Sequence, residues 1–290
     1  MKKFLAVLLI TVLLGTFLVG CGKEPASNSP QESAEEKPEV VKLRVAYHPN
    51  LFPLMIPGIE EEQGYFTEEG LDIEWIKFTS GPPEIAAMVS GDIQFGYIGH
   101  GAHTLCVEGE ADVVSLSHLG NSEEIIVRKS SGISEIEDLK GKTIATQLGT
   151  SGEVILNLAL KKAGLDKKDV KIVNMDMSGA VSAFIAGKVD AISCWDTYLT
   201  NIKDNVKEEL LTLTSTADYA DQVTFPASWV ATPDYIEKNR DVVVRFVRAL
   251  NKCYDYREAN LDEAIRAAAK FGNMDYDMLV KEKDLALCFS

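Results

Sequence analysis

An α/β fold with a largely parallel sheet, divided into two similar lobes, is the fold class that the sequence predicts. Short apolar runs alternate with helical patterns from Lys42 onward, which is typical of that class. Residues 86–100 (AAMVSGDIQFGYIGH) also align without a gap with residues 182–196 (SAFIAGKVDAISCWD). Each copy has the pattern of a helix, a glycine turn, a strand and a loop. We therefore expect His100 and Asp196 at the ends of equivalent strands.

The individual elements follow from the pattern of each segment. Apolar runs of strand length alternate with turn residues and with longer helical patterns. The clearest helices are PPEIAAMVSG and SGEVILNLALKKAG, and the second reaches Gly164, a residue type common at helix ends. The strand candidates, in chain order, are KLRVAY, LDIEWIKF, IQFGYI, VVSLSHL, EIIVRK, TIATQ, KIVNM and AISCW.

The amino-terminal part of the chain has the pattern of an export signal followed by a tether. Two lysines precede an apolar run in residues 1–20, which predicts a signal peptide and is short for a membrane-spanning helix. The following LVGC resembles a bacterial lipobox, so Cys21 is expected to become the lipidated first residue; a chance cysteine after an ordinary signal is the alternative. Residues 21–41 are rich in Pro, Ser and Glu and predict a disordered tether. The folded part is therefore expected outside the cytoplasmic membrane, on its outer face.

Composition restricts the partners that the protein can have. The chain carries 29 Lys and Arg against 44 Asp and Glu, a formal net charge of −15. No dense basic patch follows the signal, so nucleic acid is not an expected partner. The cysteines after Cys21 are far apart and form no C-x-x-C motif, which favours buried thiols over a disulfide framework.

All four histidines of the chain lie where a predicted strand ends. His48 follows the first strand, His100 and His103 follow the third, and His118 lies near the end of the fourth. Open parallel sheets bind ligands at the carboxyl ends of their strands. The sequence therefore predicts a ligand cleft lined by imidazole groups.

Three helices on the cleft side begin with small hydroxyl residues. These are Ser80, Thr150 with Ser151, and Ser178. Such residues most often cap the helix by accepting a bond from a free backbone N–H group. Where a helix start is uncovered, its N–H groups also bind anionic or carbonyl oxygens.

Several segments together resemble the substrate-binding proteins of ABC importers in the nitrate, sulfonate and taurine group, which also includes binders of thiamine-precursor pyrimidines. The resemblance runs from residue 42 to about residue 260. Its most specific features are DLKGK, GTS at a helix start, and G-x-x-D-A followed by W-D-x-Y; SGPPE, SGDIQFGYIG and ATPDYIEKNRDVVVRFVRAL add to it. Two features depart from the pattern. Thr197 stands where many relatives have proline, and the chain ends at KDLALCFS, where relatives usually continue with further helix.

This resemblance implies a type II periplasmic-binding-protein fold, in which two lobes close on a ligand about a hinge. One lobe is expected at residues 42–128 and 227–290 and the other at 129–226, with the hinge near 128–132 and 224–228. The implied protein is a monomeric solute-binding component without cofactor or catalytic activity. It would capture a small polar organic solute and deliver it to an ABC permease with its ATPase subunits.

The resemblance also implies which residues contact the ligand. The set comprises His48, Ser80, Gly81, Tyr97, His100, His118, Thr150, Ser151, Trp195 and Asp196. Trp195 is expected either as a stacking wall for the ligand or as part of a lobe core.

Two other classes of protein compete with this interpretation. An enzyme is disfavoured because G-x-S-x-G, a P-loop and H-E-x-x-H are absent from the sequence, although Ser151, His118 and Asp196 could form a hydrolytic site. A receptor for zinc or nickel could use the four histidines. Against it, GHGAH is a glycine-rich loop and not a helix that holds two imidazoles on one face.

The charge of the ligand depends on Asp196. A helix start stabilises an anion by about 0.3–1 kcal/mol, and by up to about 2 kcal/mol when partly buried. An ionised carboxylate at about 4 Å repels that anion by about 4 kcal/mol at an effective dielectric constant of about 20. If Asp196 faces the ligand, the ligand must carry an N–H or ammonium donor beside any acidic group. If Asp196 caps the next helix, a simple sulfonate is possible.

Overall fold

The computed structural model describes residues 39–288, with eleven strands and eleven α-helices in that part of the chain. The predicted signal peptide, Cys21 and most of the tether lie outside these residues. The strands are β1 Val41–Tyr47, β2 Leu71–Lys77, β3 Gly96–Ile98, β4 Asp112–Gly120, β5 Glu124–Arg128, β6 Thr143–Thr146, β7 Lys171–Asn174, β8 Ala191–Cys194, β9 Leu210–Ser215, β10 Phe225–Ala231 and β11 Ala286–Cys288. The helices are α1 Leu51–Gln63, α2 Tyr65–Glu68, α3 Gly81–Val89, α4 His103–Val107, α5 Ser151–Lys162, α6 Met177–Ile185, α7 Asp196–Asn205, α8 Pro233–Lys238, α9 Arg240–Ala259, α10 Leu261–Gly272 and α11 Tyr276–Val280.

The strands form two separate groups. In the first, β1 pairs with β2, and a four-stranded sheet has the order β11-β4-β10-β3. The bridge between Val45 and Phe95 joins these two parts, so the first lobe has in effect one sheet of order β2-β1-β3-β10-β4-β11. The second lobe is a five-stranded sheet of order β7-β6-β8-β5-β9.

The prediction of a largely parallel sheet was wrong, because both sheets are mixed. The pairs β1·β2, β6·β7 and β6·β8 are parallel, whereas β10 is antiparallel to β3 and β4, and β5 is antiparallel to β8 and β9. The cause is the path of the chain between the lobes. It passes from β4 directly into β5 and later returns through β10, with no crossover helix that would keep these strands parallel to their neighbours.

The sheet pairing also shows where the chain passes between the lobes. β5 is hydrogen-bonded within the second sheet, whereas the predicted division assigned residues up to 128 to the first lobe. The first crossing therefore lies at residues 121–123, between β4 and β5. The return crossing ends at Thr224, directly before β10 and within the predicted hinge segment. The hinge itself remains a prediction.

Each lobe has its own apolar core. The core of the first lobe packs β1, β3 and β10 against α1, α9 and α10, and Phe95 stacks on Phe246 with ring centroids 3.9 Å apart. Helix α1 approaches α10 so closely that a Cβ at Gly58 would lie 2.6 Å from the backbone of Ala267. In the second lobe, α5 packs on one face of the sheet and α6 with α7 on the other.

The internal repeat is confirmed by the backbone. Helix α3 leads through Gly91 to β3, and α6 leads through Gly187 to β8. Both glycines adopt the left-handed conformation, at φ 84° and φ 68°, which favours glycine. His100 and Asp196 follow the two equivalent strands, as the alignment predicts.

Two further expectations can be compared with the described residues. Cys194 and Cys253 are buried free thiols, but Cys106 is half-buried and Cys288 is exposed. No helix among residues 39–288 is long and apolar enough to cross a membrane.

Candidate ligand-binding site

The two lobes face each other across a cavity of about 50 Å³. All ten residues that the sequence analysis assigned to the ligand line this one cavity. They converge because most of them follow a strand end or begin a helix at the facing edges of the two sheets. The lining residues that the sequence analysis did not single out are Asn50, Gly99, Ala102, Gly120, Ser122, Glu123, Gly149, Phe225, Pro226 and Ala227.

The wall contributed by the first lobe is built from imidazole and aromatic rings. His48 follows β1 and lies edge-on to Tyr97 of β3, with ring centroids 5.2 Å apart. His48 Nε2 is 2.8 Å from Oε2 of Glu84, a fully buried residue of α3. His118 of β4 lies 4.6 Å from the ring of Phe52, between centroids. This wall is therefore rigid and held by the core beneath it.

Two histidines of this wall are uncharged at neutral pH. Burial lowers the pKa of His118 to about 3, and Arg257 adds to that effect. Burial also lowers the pKa of His100, with His103 as the second cause. Neutral imidazoles offer one donor and one acceptor each, and they add no positive charge to the cavity.

The wall contributed by the second lobe begins at α5. Thr150 and Ser151 occupy the start of this helix, as predicted, but the Thr150 hydroxyl makes no capping bond; it donates to the Gln147 carbonyl at 2.6 Å. Ser80 likewise makes no capping bond on α3. The capping interpretation was therefore wrong for Thr150 and Ser80, and the α5 start is available to the cavity. At α6 the cap is Asp176, which accepts from the Gly179 N–H, and Ser178 lies inside the helix.

Asp196 stands opposite the histidines. It begins α7 with a left-handed backbone, φ 38°, an unusual conformation for a residue other than glycine that Asp and Asn adopt more readily than most. Its carboxylate lines the cavity and accepts a hydrogen bond from Asn50 Nδ2 at 2.9 Å. Burial raises the pKa of Asp196, and hydrogen bonds from Ser122 and Asn50 oppose that rise. Asp196 thus faces the ligand space and does not cap α7 through its side chain.

Glu123 adds a second carboxyl to the cavity at the first crossing between the lobes. Burial is the main cause and the nearby Asp196 the second cause that together raise the pKa of Glu123 to about 7, against the opposing effect of hydrogen bonding by Ser151. Glu282, close to Asp196, is also buried, and burial raises its pKa to about 8. The lining contains no Lys or Arg among the described residues. The electrostatic character of the cavity is therefore acidic.

The two walls touch each other directly. Asn50 of the first lobe bonds to Asp196 of the second, and Gln147 Nε2 of the second donates to Ser80 Oγ of the first at 2.7 Å. A Cβ at Gly101 would clash with the backbone of Thr150 across the cleft. The described arrangement is therefore that of closed lobes, with glycine at a point where the walls come closest.

Trp195 lies between the cavity and the core of its own lobe. It lines the cavity and also packs at the edge of the core formed by α6 and α7, with its ring 5.4 Å from that of Tyr198. The ring can therefore serve as a stacking wall that is held in place by its own lobe.

The arrangement of the histidines does not fit a shared metal site. His103 turns away from the cavity, and its Nε2 lies 2.9 Å from Ser228 Oγ. His48 is engaged by Glu84. Within residues 39–288, no group of three or more His, Cys, Asp or Glu side chains could hold a metal ion.

The hydrolytic arrangement is not assembled either. His118 Nδ1 is 3.2 Å from Ser117 Oγ, and His118 Nε2 is 3.5 Å from the Tyr97 hydroxyl. Asp196 bonds to Asn50. Ser151, His118 and Asp196 share the cavity but are occupied by other partners, and a histidine with a pKa of about 3 is a poor general base at neutral pH.

Solved structures of the same fold were found by comparison. The alkanesulfonate-binding protein SsuA from Xanthomonas axonopodis pv. citri, bound to MOPS, superposes with a TM-score of 0.71 at 21% identity, covering 87% of each chain. The periplasmic aliphatic sulphonate-binding protein SsuA from Escherichia coli gives a TM-score of 0.69 at 23% identity, covering 87% of this chain and 85% of its own. The chain therefore has the periplasmic-binding-protein fold.

The chain belongs to the NMT1/THI5-like family, whose profile matches residues 55–264. A relative from Bacillus subtilis, named for binding aliphatic sulfonates, is 31% identical over 287 residues, covering 95% of this chain and 80% of its own. The taurine-binding periplasmic protein of Escherichia coli is 28% identical and covers 73% of this chain and 65% of its own. The formylaminopyrimidine-binding protein of Halalkalibacterium halodurans is 25% identical, with 91% and 78% covered. The family resemblance expected from the sequence is confirmed.

Proposed function

We propose that this protein is the extracytoplasmic solute-binding component of an ABC importer, which captures one small polar organic solute and passes it to a membrane permease. The observation that carries the proposal is a cavity that is lined from both lobes and contains all ten residues that the family resemblance implies. The names of the relatives, which bind sulfonates, taurine or a pyrimidine, support the same function. The protein would act as a monomer and catalyse no reaction.

Closure is the proposed mechanism. A ligand favours the closed state only if it binds that state better than the open one, so it must contact both lobes. The cavity offers such contacts from His48, Ser80 and His100 on one side and from Thr150 and Asp196 on the other. The permease would then distinguish loaded from empty protein by shape.

The ligand is proposed to carry an ammonium or N–H donor beside an acidic group. Two carboxyl groups, Asp196 and Glu123, line the cavity without a basic residue beside them, so a bare oxyanion would be repelled there. The start of α5, with Thr150 and Ser151, offers N–H groups to an acidic oxygen. An aminosulfonate such as taurine satisfies both requirements.

A pyrimidine with exocyclic N–H groups is the second candidate. Trp195 presents an aromatic ring to the cavity, held by the core of the second lobe, and Asp196 follows it directly. Stacking on the indole with donation to the carboxylate would bind an aminopyrimidine. Nitrate and simple sulfonates lack the donor and are disfavoured.

Identification of a co-purifying ligand tests the function. The protein is purified without chelator, denatured, and its released small molecules are identified by mass spectrometry. We expect one polar organic solute with a nitrogen donor, and small-angle scattering should show a smaller radius of gyration when that solute is added back. A ligand bound without compaction would contradict the mechanism, and stoichiometric zinc or nickel that is lost in His100→Ala would favour the metal receptor.

The membrane anchor is a separate part of the proposal. LVGC at residues 18–21 supports lipidation of Cys21 and attachment to the outer face of the cytoplasmic membrane. Cys21→Ser should lose the lipid mass and move from the detergent phase to the aqueous phase. An unchanged membrane-bound fraction would refute the anchor.

A further inference from the structure

Glu84 lies beneath the first wall of the cavity and contacts the ligand space only through His48. It is 0% exposed, and its Oε2 is 2.8 Å from His48 Nε2. Its other oxygen, Oε1, has no hydrogen-bond partner within the described part of the chain. That oxygen occupies the space where a Cβ of residue 96 would be, so only glycine at Gly96 leaves room for the carboxyl group. Glycine at position 96 thus leaves room for the carboxyl group of Glu84.

The contact with Glu84 determines what His48 can offer to a ligand. Because Nε2 is engaged, Nδ1 is the ring nitrogen left for a further partner. If the pair holds one proton, it lies between Nε2 and the carboxylate, and Nδ1 is an acceptor. If the pair holds two protons, as an ion pair or as the neutral acid with a neutral ring, Nδ1 carries hydrogen in both cases and is a donor.

Burial favours the state with two protons. A carboxylate removed from water, with one oxygen unpartnered, is strongly disfavoured unless a cation neutralises it or a proton binds to it. Burial raises the pKa of Glu84, and both His48 and the backbone N–H of Tyr97 oppose the rise. Among the other ionisable groups around the pair, Tyr97 packs on His48. The carboxyls of Asp196 and Glu123 raise the pKa of Tyr97, and their negative charge would further disfavour a negatively charged pair of Glu84 and His48.

We propose that Glu84 is a positioning residue that holds a second proton on its pair with His48, so that His48 Nδ1–H donates to an acidic oxygen of the ligand. The part that concerns the ligand rests on the proposed function. His48 would then bind the acidic group of an aminosulfonate together with the N–H groups at the start of α5, while Asp196 binds its ammonium group. Glu84 would thereby set the orientation in which the ligand is accepted.

The test observes the His48 ring in the ligand-free protein. Nitrogen-15 NMR of labelled protein reports whether Nδ1 carries hydrogen, and His48→Gln assigns the signals. At pH 8 we expect a protonated Nδ1 in the natural protein and a mostly unprotonated Nδ1 in Glu84→Met, which removes the acid at similar volume. Gly96→Ala displaces the carboxyl group of Glu84 without removing it and should also leave Nδ1 mostly unprotonated. It replaces Glu84→Met in the test if that variant does not fold. An unprotonated Nδ1 at pH 8 in the natural protein would overturn the inference.

Binding of taurine as a probe supplies the second measurement. The dissociation constant of Glu84→Met, divided by that of the natural protein, should grow by about tenfold between pH 6 and pH 8, because the variant has no acid to hold a second proton beside His48 as the pH rises. Glu69→Met is the matched control, since Glu69 is a buried glutamate paired with Arg248 and Lys252 away from the cavity, and its ratio should stay flat. Equal pH dependence in the two variants would overturn the role of Glu84. If the natural protein binds no taurine but the NMR result holds, the proposed ligand class fails and the proton assignment stands.

Discussion

His100 and Asp196 end equivalent strands of one repeat, yet they give the cavity opposite chemistry. His100 enters a short 3₁₀ turn with an ordinary backbone, and burial lowers its pKa, so it is neutral. Asp196 enters α7 through a left-handed backbone and keeps a carboxyl group that bonds to the other lobe. The repeated backbone determines the position of the side chain that follows each strand. The residue type at that position determines which chemical group the side chain can bind. A two-lobed protein of this kind can therefore recognise two different ends of one ligand.

The contacts between the walls extend this comparison. In the first wall Gly101 follows His100, and in the second wall Thr150 directly precedes α5. The backbones of Gly101 and Thr150 come into close contact across the cleft. The contact between the walls therefore requires glycine at Gly101, and the proposed closure requires ligand contacts as well. The predictions below separate these requirements.

The largest effect is expected from Gly101→Ala. Its methyl group would clash with Thr150 only when the lobes are closed, and Gly101 has no left-handed backbone that would penalise alanine. The variant should fold, remain open and lose compaction on ligand addition in small-angle scattering. Gly99→Ala is the comparison, because it adds a methyl group to the same cavity lining with nothing within 4 Å and so does not obstruct the contact between the walls. Normal compaction of Gly101→Ala would show that the close contact between Gly101 and Thr150 does not govern closure.

Asp196→Asn tests the acidic wall. Asparagine tolerates the left-handed backbone and retains an oxygen for Asn50, so the change removes mainly the charge. Loss of a charged hydrogen bond should weaken taurine binding about 10- to 100-fold, whereas binding of ethanesulfonate should improve. Calorimetric titration measures both ligands, and Asp204→Asn, an exposed change on the same helix, should alter neither. Parallel loss of both ligands would contradict the charge argument.

His100→Ala tests the imidazole wall. An unpaired partner in the cavity should weaken ligand binding by about 1–3 kcal/mol. His103→Ala provides the comparison, because His103 belongs to the same loop but bonds to Ser228 away from the cavity. Equal losses in the two variants would mean that His100 acts through the loop and not on the ligand.

Glu123 introduces a pH dependence of stability that does not involve the ligand. Its pKa in the folded protein is about 7, above the usual 4.5, so the folded state binds more protons between these values. Its contribution to stability is fully present below pH 4.5 and is lost as the pH rises through about 7. Urea unfolding should show a free energy that falls from pH 5 to pH 8 by up to about 3 kcal/mol. Glu123→Gln should flatten this slope, and an unchanged slope would place the titration elsewhere, Glu282 being the other candidate.

The positions of the cavity residues could be predicted from the sequence because most of them follow from local pattern. Strand ends and helix starts are local features that indicated the histidines, Ser80, Thr150 and Ser151, whereas the full set of ten residues in this cavity came from the family resemblance. The equivalence of His100 and Asp196 was readable from the repeat. The type of sheet was not, because β10 was not among the strand candidates and the direction of β5 depends on how the chain crosses between the lobes.

The side-chain partners were not predictable for a related reason. Asn50 bonds to Asp196, and Glu84 to His48, across separations of 146 and 36 residues. No local pattern links such residues before the fold is known. Glu123 gave one weak signal in the sequence, because it is an acidic residue close to an apolar strand. An acidic residue at such a position would ordinarily be assigned to the surface.

The central claim is that one ligand presents a nitrogen donor to Asp196 and an acidic group to the opposite contacts. Calorimetric titration of the natural protein with taurine and with ethanesulfonate, which differ only in the amino group, tests it most directly. We predict that taurine binds at least about tenfold more tightly, as expected for a charge-assisted hydrogen bond to a buried carboxylate. Equal or tighter binding of ethanesulfonate would contradict the account.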